Sequence, residues 1–353
     1  MKITYITRTN VSSNAAQAKQ ITAMANGFEK ILGNNFYLIS PGFVSNKKIN
    51  HKEIQTNQGV LSMNIRLLKE MFNIGNTVVF TRDIIIALFG VILSKKTVLE
   101  IHHPHKKIYT KTLLFFLIKF SSLKLVTISL ALKNYYLEKY NISNIRILVA
   151  HDGVFAEQYV NIDKIQTRSD LGLPQNKFLV MHTGSLYKGG NDIYENLLSL
   201  NIKDVHFIHI GGSIDECKKL SMQYKKYDQI SFLPQVSTSN IKKYQMSADL
   251  LLYINVRTSP IFWCTSPLKI FEYMATGIPI LGSNIGSLGE VISDKNAYCY
   301  DPDDIPKLKE QFLNVINNYS EAENRAIVAK NDVIEKYDWL IRIQNIISFS
   351  KQF

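Results

Sequence analysis

The sequence predicts an α/β protein made of two Rossmann-like domains, and three observations carry that expectation. The chain has 353 residues, beyond the roughly 250–300 at which a single hydrophobic core stops growing. Short β-rich runs alternate with longer helical patterns from end to end, the signature of parallel strands joined by crossover helices. The charge is also divided. Of the formal +12, residues 1–160 hold 20 Lys and Arg against 8 Asp and Glu, while residues 161–353 hold 21 of each. That division marks two units with different partners, the first facing something anionic.

In the first half, strands are expected at 2–7, 36–40, 77–80, 97–101, 124–129 and 145–150. Helices are expected at 14–32, closed by Gly33, and at 61–72, 84–93, 109–120 and 130–140. A second series follows the polar stretch 157–170, with strands at 178–182, 205–210, 229–233, 250–254 and 278–282. Helices fill the gaps, 305–318 continues the pattern, and the tail after Ser320 reads as two more helices ending near Ser348. The expected domains are 1–156 and 157–330, with 331–353 as a C-terminal extension. Open α/β sheets bind ligands at the carboxyl ends of their strands.

Composition excludes several classes. Cys217, Cys264 and Cys299 show no paired spacing, so neither a disulfide framework nor a zinc site is expected. No apolar run reaches the roughly 18–20 residues of a membrane span. The N-terminus starts directly as a strand, without a signal-peptide pattern. A cytoplasmic chain is expected, with the inner face of the membrane as a further location.

The most informative stretch is Ser266–Leu281, SPLKIFEYMATGIPIL. Ser266 is expected to cap a helix with Pro267 at its first position, so that the amides near Leu268 and Lys269 form an anion site. Glu272, a turn and a half further in, is placed to accept hydrogen bonds from ribose hydroxyls. Its alternative is a partly buried helix acid. With Tyr273-Met274-Ala275 and the following Gly277 and Pro279, it resembles the donor-site signature of GT-B fold glycosyltransferases of family 4 (group 1). In that signature two glutamates are separated by seven residues. Glu272 matches the second, Cys264 stands where the first would be, and Ser-Pro-Leu-Lys replaces a glycine-rich turn.

The resemblance extends over nearly the whole chain. Ser13-Asn14-Ala15-Ala16-Gln17 is similar to the first strand-to-helix turn, beside the reaction centre. Glu100-Ile101-His102 resembles the strand-end histidine near the transferred sugar, and His151–Val154 the segment entering the linker. His182–Gly189 resembles the first loop of the donor domain. There the family places an arginine and a lysine on the diphosphate; Gly184 matches the loop's start, Ser185 stands at the arginine position, and Lys188 at the lysine. Ile210–Ser213 and Tyr337-Asp338-Trp339 resemble the glycine turn and the C-terminal helix that packs back on the first domain.

What the resemblance implies is a GT-B glycosyltransferase that uses a UDP- or GDP-linked sugar as substrate. No cofactor and no obligatory metal are expected, and the anomeric configuration is retained. The second domain would hold the donor and the first a glycan or polyprenyl-diphosphate-linked acceptor. Cell-surface polysaccharide synthesis is the expected setting, and domain closure would exclude water from the reaction.

His102 is placed to contact a sugar or steady positive charge in the transition state; the alternatives are a structural histidine or a metal ligand within the cluster His102, His103 and His105. His103 is the substitute if the register shifts by one. His206 and His209 read as packing residues, and Asp249 as structural. Lys188 and Lys269 are cationic candidates for donor phosphates, or else surface lysines, and Arg257 is a third candidate. Nothing in the sequence lowers the Cys264 pKa, which argues against a nucleophile.

The run Leu113–Ile118 lies among Lys106, Lys107, Lys111, Lys119 and Lys124. It reads either as a buried helix with basic ends or as a surface helix docking on anionic lipid. No nucleic-acid partner is expected, since no recognisable binding motif interleaves the basic residues. Two rival functions stay open: a sugar-nucleotide epimerase or hydrolase on the same fold, and a non-catalytic GT-B binding subunit.

Overall fold

Two parallel sheets organise the chain in the computed structural model, which describes residues 1–13, 15–55, 59–184 and 192–353, and Thr238 by its backbone only. The first series is β1 (Ile3–Ile6), α1 (Ala16–Leu32), β2 (Phe36–Ser40), β3 (Asn50–Glu53), α2 (Gly59–Asn73), β4 (Val78–Thr81), α3 (Ile84–Ile92), β5 (Thr97–Ile101), α4 (Ile108–Leu117), β6 (Leu123–Thr127), α5 (Leu130–Tyr140) and β7 (Ile147–Val149). The second is α6 (Lys164–Asp170), β8 (Phe178–Thr183), α7 (Asp192–Leu198), β9 (Val205–Ile210), α8 (Ile214–Gln223), β10 (Ile230–Leu233), α9 (Thr238–Ser247), β11 (Leu250–Tyr253), α10 (Leu268–Thr276), β12 (Ile280–Ser283), β13 (Tyr298–Tyr300), α11 (Ile305–Asn317) and α12 (Tyr319–Asp332). A last helix, α13 (Trp339–Lys351), ends the chain.

Met1–Asp152 and Trp339–Phe353 form the first unit, and Gly153–Asp338 the second. The first boundary thus falls four residues before the expected 156. Segment 153–156 is knitted to the second unit: Val154 pairs with Asp338, its amide donates to the Tyr337 carbonyl, and the Ala156 amide donates to the Asp338 carboxylate. Likewise the returning segment starts at Trp339 rather than 331. A π-helical turn, Val333–Tyr337, continues α12, and the Tyr337 ring packs on Phe271.

The first unit's sheet has the order β3-β2-β1-β4-β5-β6-β7, all parallel. Its central strands are buried on both faces and read as unbroken apolar runs such as Val78–Thr81. Tyr5, Phe28, Phe36 and Phe80 form an aromatic core beneath α1. Helix α13 lies against α1, where a side chain on Gly27 would sit 2.2 Å from Ile343 Cδ1. The small residue sets that close approach.

The second unit's sheet runs β10-β9-β8-β11-β12-β13, again parallel throughout. The sequence pattern had marked neither edge strand β3 nor β13. The polar segment Asn50–Glu53 pairs through its main chain with Tyr37–Ser40, and β13 is three residues long. A polar edge strand such as β3, or one as short as β13, offers no apolar alternation to read, unlike the edge strands β7 and β10.

The Leu113–Ile118 run is buried on one side and exposed on the other. Leu114, Leu117 and Ile118 are buried, but Ile108, Tyr109, Phe115, Phe116 and Phe120 are exposed. Lys119 lies over the Phe115 ring at 4.7 Å. Lys124 leaves the basic group: it is buried, and its ammonium donates to the Phe349 carbonyl of α13 at 3.0 Å. Among the described residues no helix is long and apolar enough to cross a membrane.

Candidate functional site

In the second unit the strand order reverses between β8 and β11, the position at which such sheets bind ligands beyond their carboxyl ends. Two connections start there, the one after β8, at Gly184, and the one between β11 and α10. Gly184 has φ +107°, and a Cβ on it would lie 2.5 Å from Lys269 Nζ. The Lys269 ammonium therefore rests directly on this glycine, joining the β8 loop to the start of α10. Burial pushes its pKa down to about 8, with Glu272 acting in the opposite sense.

Helix α10 begins one residue later than the sequence suggests. Its N-cap is Pro267 in an extended conformation, with no side-chain cap, and Ser266 is buried just before it. The expected serine cap is thus corrected: a proline with ψ 125° lies outside the helix, and Leu268 and Lys269 open it. Gly277, in the left-handed conformation, closes the helix ahead of Pro279, as the Gly-Ile-Pro turn requires.

Glu272 is half-buried, and its Oε2 accepts from the Gln245 amide at 3.3 Å. The same amide reaches Thr183 Oγ1, and the Thr183 backbone N–H donates to the Tyr273 hydroxyl at 2.8 Å. These bonds tie the end of β8, α9 and α10 into one support. Gln245 and the Thr183–Tyr273 pair escaped sequence reasoning, because residues 62 and 27 positions from their partners carry no local signal. A second support comes from Gly211. A side chain there would meet the Gly184 backbone at 2.5 Å, so the glycine turn lets the β8 and β9 loops touch.

Cys264 is wholly buried, and burial pushes its thiol up to about 12. A thiol held neutral in this way is no nucleophile. Arg257 is bound at the surface by Asp301 and Asp303, away from Lys269 and Glu272 in its bonding. Asp249 is structural, accepting from Lys164, from Arg168 at 2.7 Å and from the Leu179 amide at 2.7 Å. His206 bonds to Ser231, and His209 to Tyr194 inside the core. Asn14, Ser185 and Lys188 lie outside the described residues.

In the first unit, His102 follows β5 at the carboxyl end of the sheet. Its Nε2 is 2.7 Å from Glu100 Oε1, and that same oxygen accepts from Arg342 of α13 at 2.7 Å. Glu100, His102 and Asp152 place ligand atoms within 4.8 Å of one another, as a metal site would. The guanidinium of Arg342 already supplies the positive charge here, lying 2.7 Å from Glu100 and 4.0 Å from Asp152. His103 is exposed and bonds the Pro104 carbonyl, while burial takes the His105 pKa down to about 4. Among the described residues the three histidines do not gather into a metal site.

Burial works against the charge on Glu100, yet Arg342, His102 and Arg82 hold its carboxyl well below the usual carboxylate range. His102 is shifted down by burial and then by Arg82, against the pull of Glu100 and Asp152. Glu100 was legible in sequence as the same-face neighbour of His102 two residues earlier on a strand. Arg342, 242 residues from Glu100, was not.

Residues 161–332 match the family model described as glycosyl transferases group 1. The match lies within the second unit and spans 172 of the 353 residues. Glycosyl transfer is the enzyme class it supports, and the two-sheet architecture is that of GT-B enzymes. The structure of HepE from Anabaena, solved in complex with UDP and glucose, is similar over 100% of both chains, with TM-score 0.79 and 16% identity. A glycosyltransferase from Rickettsia africae matches over 99% of this chain and 98% of its own, with TM-score 0.80 and 18% identity. WaaG, a glycosyltransferase involved in lipopolysaccharide biosynthesis, matches over 98% and 99%, with TM-score 0.69 and 11% identity. No curated protein sequence matches the chain.

Proposed function

We propose that the chain transfers a sugar from a nucleotide-sugar donor to a glycan or lipid-linked glycan acceptor, with retention of configuration, in cell-surface polysaccharide synthesis. The observation that carries the donor half is the position of Lys269. Its ammonium lies on Gly184 at the strand-order reversal of the group 1 domain, and Glu272 follows it on the same helix.

In this proposal the donor diphosphate binds at Gly184 and the amides opening α10, with Lys269 as its cation. Ser185 and Lys188 join it. Pro267 and Leu268 shape the turn, and Glu272 accepts the ribose hydroxyls while Gln245 holds its carboxylate in place. His102 contacts the sugar, with Asn14 on the acceptor side. Most of the catalysis then comes from positioning and electrostatics. UDP is the first base to test, because HepE was solved with UDP and with UDP-glucose.

A lipid-linked acceptor fits the exposed side of α4. Ile108, Tyr109, Phe115, Phe116 and Phe120 are exposed there, beside Lys106, Lys107 and Lys119. Between Asp83 and Glu138 the chain has eight Lys and one acid, Glu100, which is buried. Such a face suits an anionic membrane surface. Flotation with vesicles containing phosphatidylglycerol should weaken when Lys107, Lys111 and Lys119 are neutralised, and binding unaffected by those changes would remove the membrane from the proposal.

The deciding experiment for the donor is a thermal-shift screen of UDP-, GDP- and ADP-sugars, since a ligand bound only by the folded state raises its apparent stability. One nucleotide series should stabilise the wild type, with the effect lost in Glu272→Ala. No stabilisation by any of them would overturn the donor site. Conversion of donor without acceptor would point instead to an epimerase or hydrolase.

A further inference from the structure

We infer that Glu100 and Arg342 are positioning residues, which fix His102 as the tautomer with its proton on Nε2 and leave Nδ1 free to accept a hydrogen bond from a sugar hydroxyl. The tautomer follows from geometry within the first unit; its use on a sugar rests on the proposed transferase function.

The chemistry is direct. An ionised carboxylate has no proton to give, so the 2.7 Å contact between Glu100 Oε1 and His102 Nε2 requires the hydrogen on the imidazole nitrogen. A neutral imidazole carries one proton, and Nδ1 is then an acceptor. Arg342 keeps Glu100 ionised and aimed. Its Nη2 donates to the same Oε1 at 2.7 Å, and both side chains are 2% exposed.

The arginine is itself held from several directions. Its Nε donates to the His151 carbonyl at 2.8 Å and its Nη2 to the Ala150 carbonyl at 3.2 Å. Asp152 stands 4.0 Å away and accepts from Gln20 at 2.7 Å, and Gln20 in turn accepts from Arg82 at 3.0 Å. The charged groups facing His102 are therefore Glu100 at the end of β5, Arg82 after β4, Asp152 after β7 and Arg342 of α13. Two carboxylates balance two guanidiniums, so no net negative charge draws a second proton onto the buried ring. The downward shift of His102 agrees with that balance.

The competing role is that Arg342 and Glu100 only pin α13 to the sheet. That role also predicts lost stability when the pair is broken, but it makes no demand on the proton of His102. Nitrogen-15 shifts of the labelled histidines in the full chain at pH 7 separate the two. The wild type should show His102 neutral and protonated on Nε2. An Nδ1–H form, or a charged imidazole, would overturn the inference without any variant.

Glu100→Gln and Arg342→Met should then give mixed tautomers, with kcat for transfer lower by about 10- to 100-fold and the donor KM within about threefold. Arg342→Lys, which keeps the charge, should recover part of the loss. Unchanged tautomer and kcat in the folded variants would leave the pair as a mere anchor and overturn the positioning role. Where the variants do not fold, the wild-type spectrum alone decides. Wild-type turnover by His102→Ala would overturn the sugar contact, a result distinct from the outcome of the tautomer measurement.

Discussion

Lys269 gives the proposed donor site a pH dependence that is calculable in advance. With a pKa of about 8 in the unliganded protein, roughly nine-tenths of the side chain is charged at pH 7 and about one-tenth at pH 9. A bound diphosphate favours the ammonium, so it raises that pKa, and binding above pH 8 takes up a proton. If the charged form binds, the Kd of UDP should weaken about tenfold between pH 7 and pH 9, or roughly 1.4 kcal/mol in all. Calorimetry in buffers of different ionisation enthalpy measures both the affinity and the proton uptake. The Lys269→Met variant supplies the reference, because it keeps the titration of the base and phosphates while removing the lysine. Its affinity should be lower at pH 7 and should change little with pH. A wild-type curve parallel to that of Lys269→Met, with no proton uptake at pH 8.5, would refute the assignment of this lysine to the phosphates.

Other perturbations follow from the same geometry. Gly184→Ala places a Cβ 2.5 Å from Lys269 Nζ at φ +107°; it should cost about 1–3 kcal/mol through backbone strain and weaken nucleotide binding, read by denaturant melts and calorimetry. Asp249→Ala leaves the buried Arg168 guanidinium without its carboxylate, which should cost about 3–5 kcal/mol and lower the Tm of the second unit by roughly 6–20 °C. Burial raises the pKa of all three cysteines, to about 12 for Cys264 and Cys299, so native protein at pH 8 should take up iodoacetamide only on unfolding, as mass spectrometry will show.

Legibility in the sequence tracked how local each cause was. Strands such as Val78–Thr81 and Leu250–Tyr253 announced themselves because both sheet faces are buried and the runs are almost wholly apolar. The polar edge strand Asn50–Glu53 did not, since only main-chain pairing makes it a strand. Lys269 and Glu272 were found because a turn, a helix start and a closing glycine lie within twelve residues of one another. Helix α10 starts one residue beyond the start that the expected serine cap implies, a backbone detail that Ser-Pro leaves open.

The opposite holds for the groups that tune those side chains. Sequence by itself determined the two α/β units, the charge division between their halves, the α10 segment and the strand-end His102, all from periodicity and neighbouring residue types. Only the tertiary structure decided that Lys269 rests on Gly184, that Gln245 holds Glu272, that Lys124 is spent on the C-terminal helix, and that Arg342 meets Glu100. Each of these joins residues 27 or more positions apart. Burial and partner geometry set protonation, and those exist only once the chain has closed on itself.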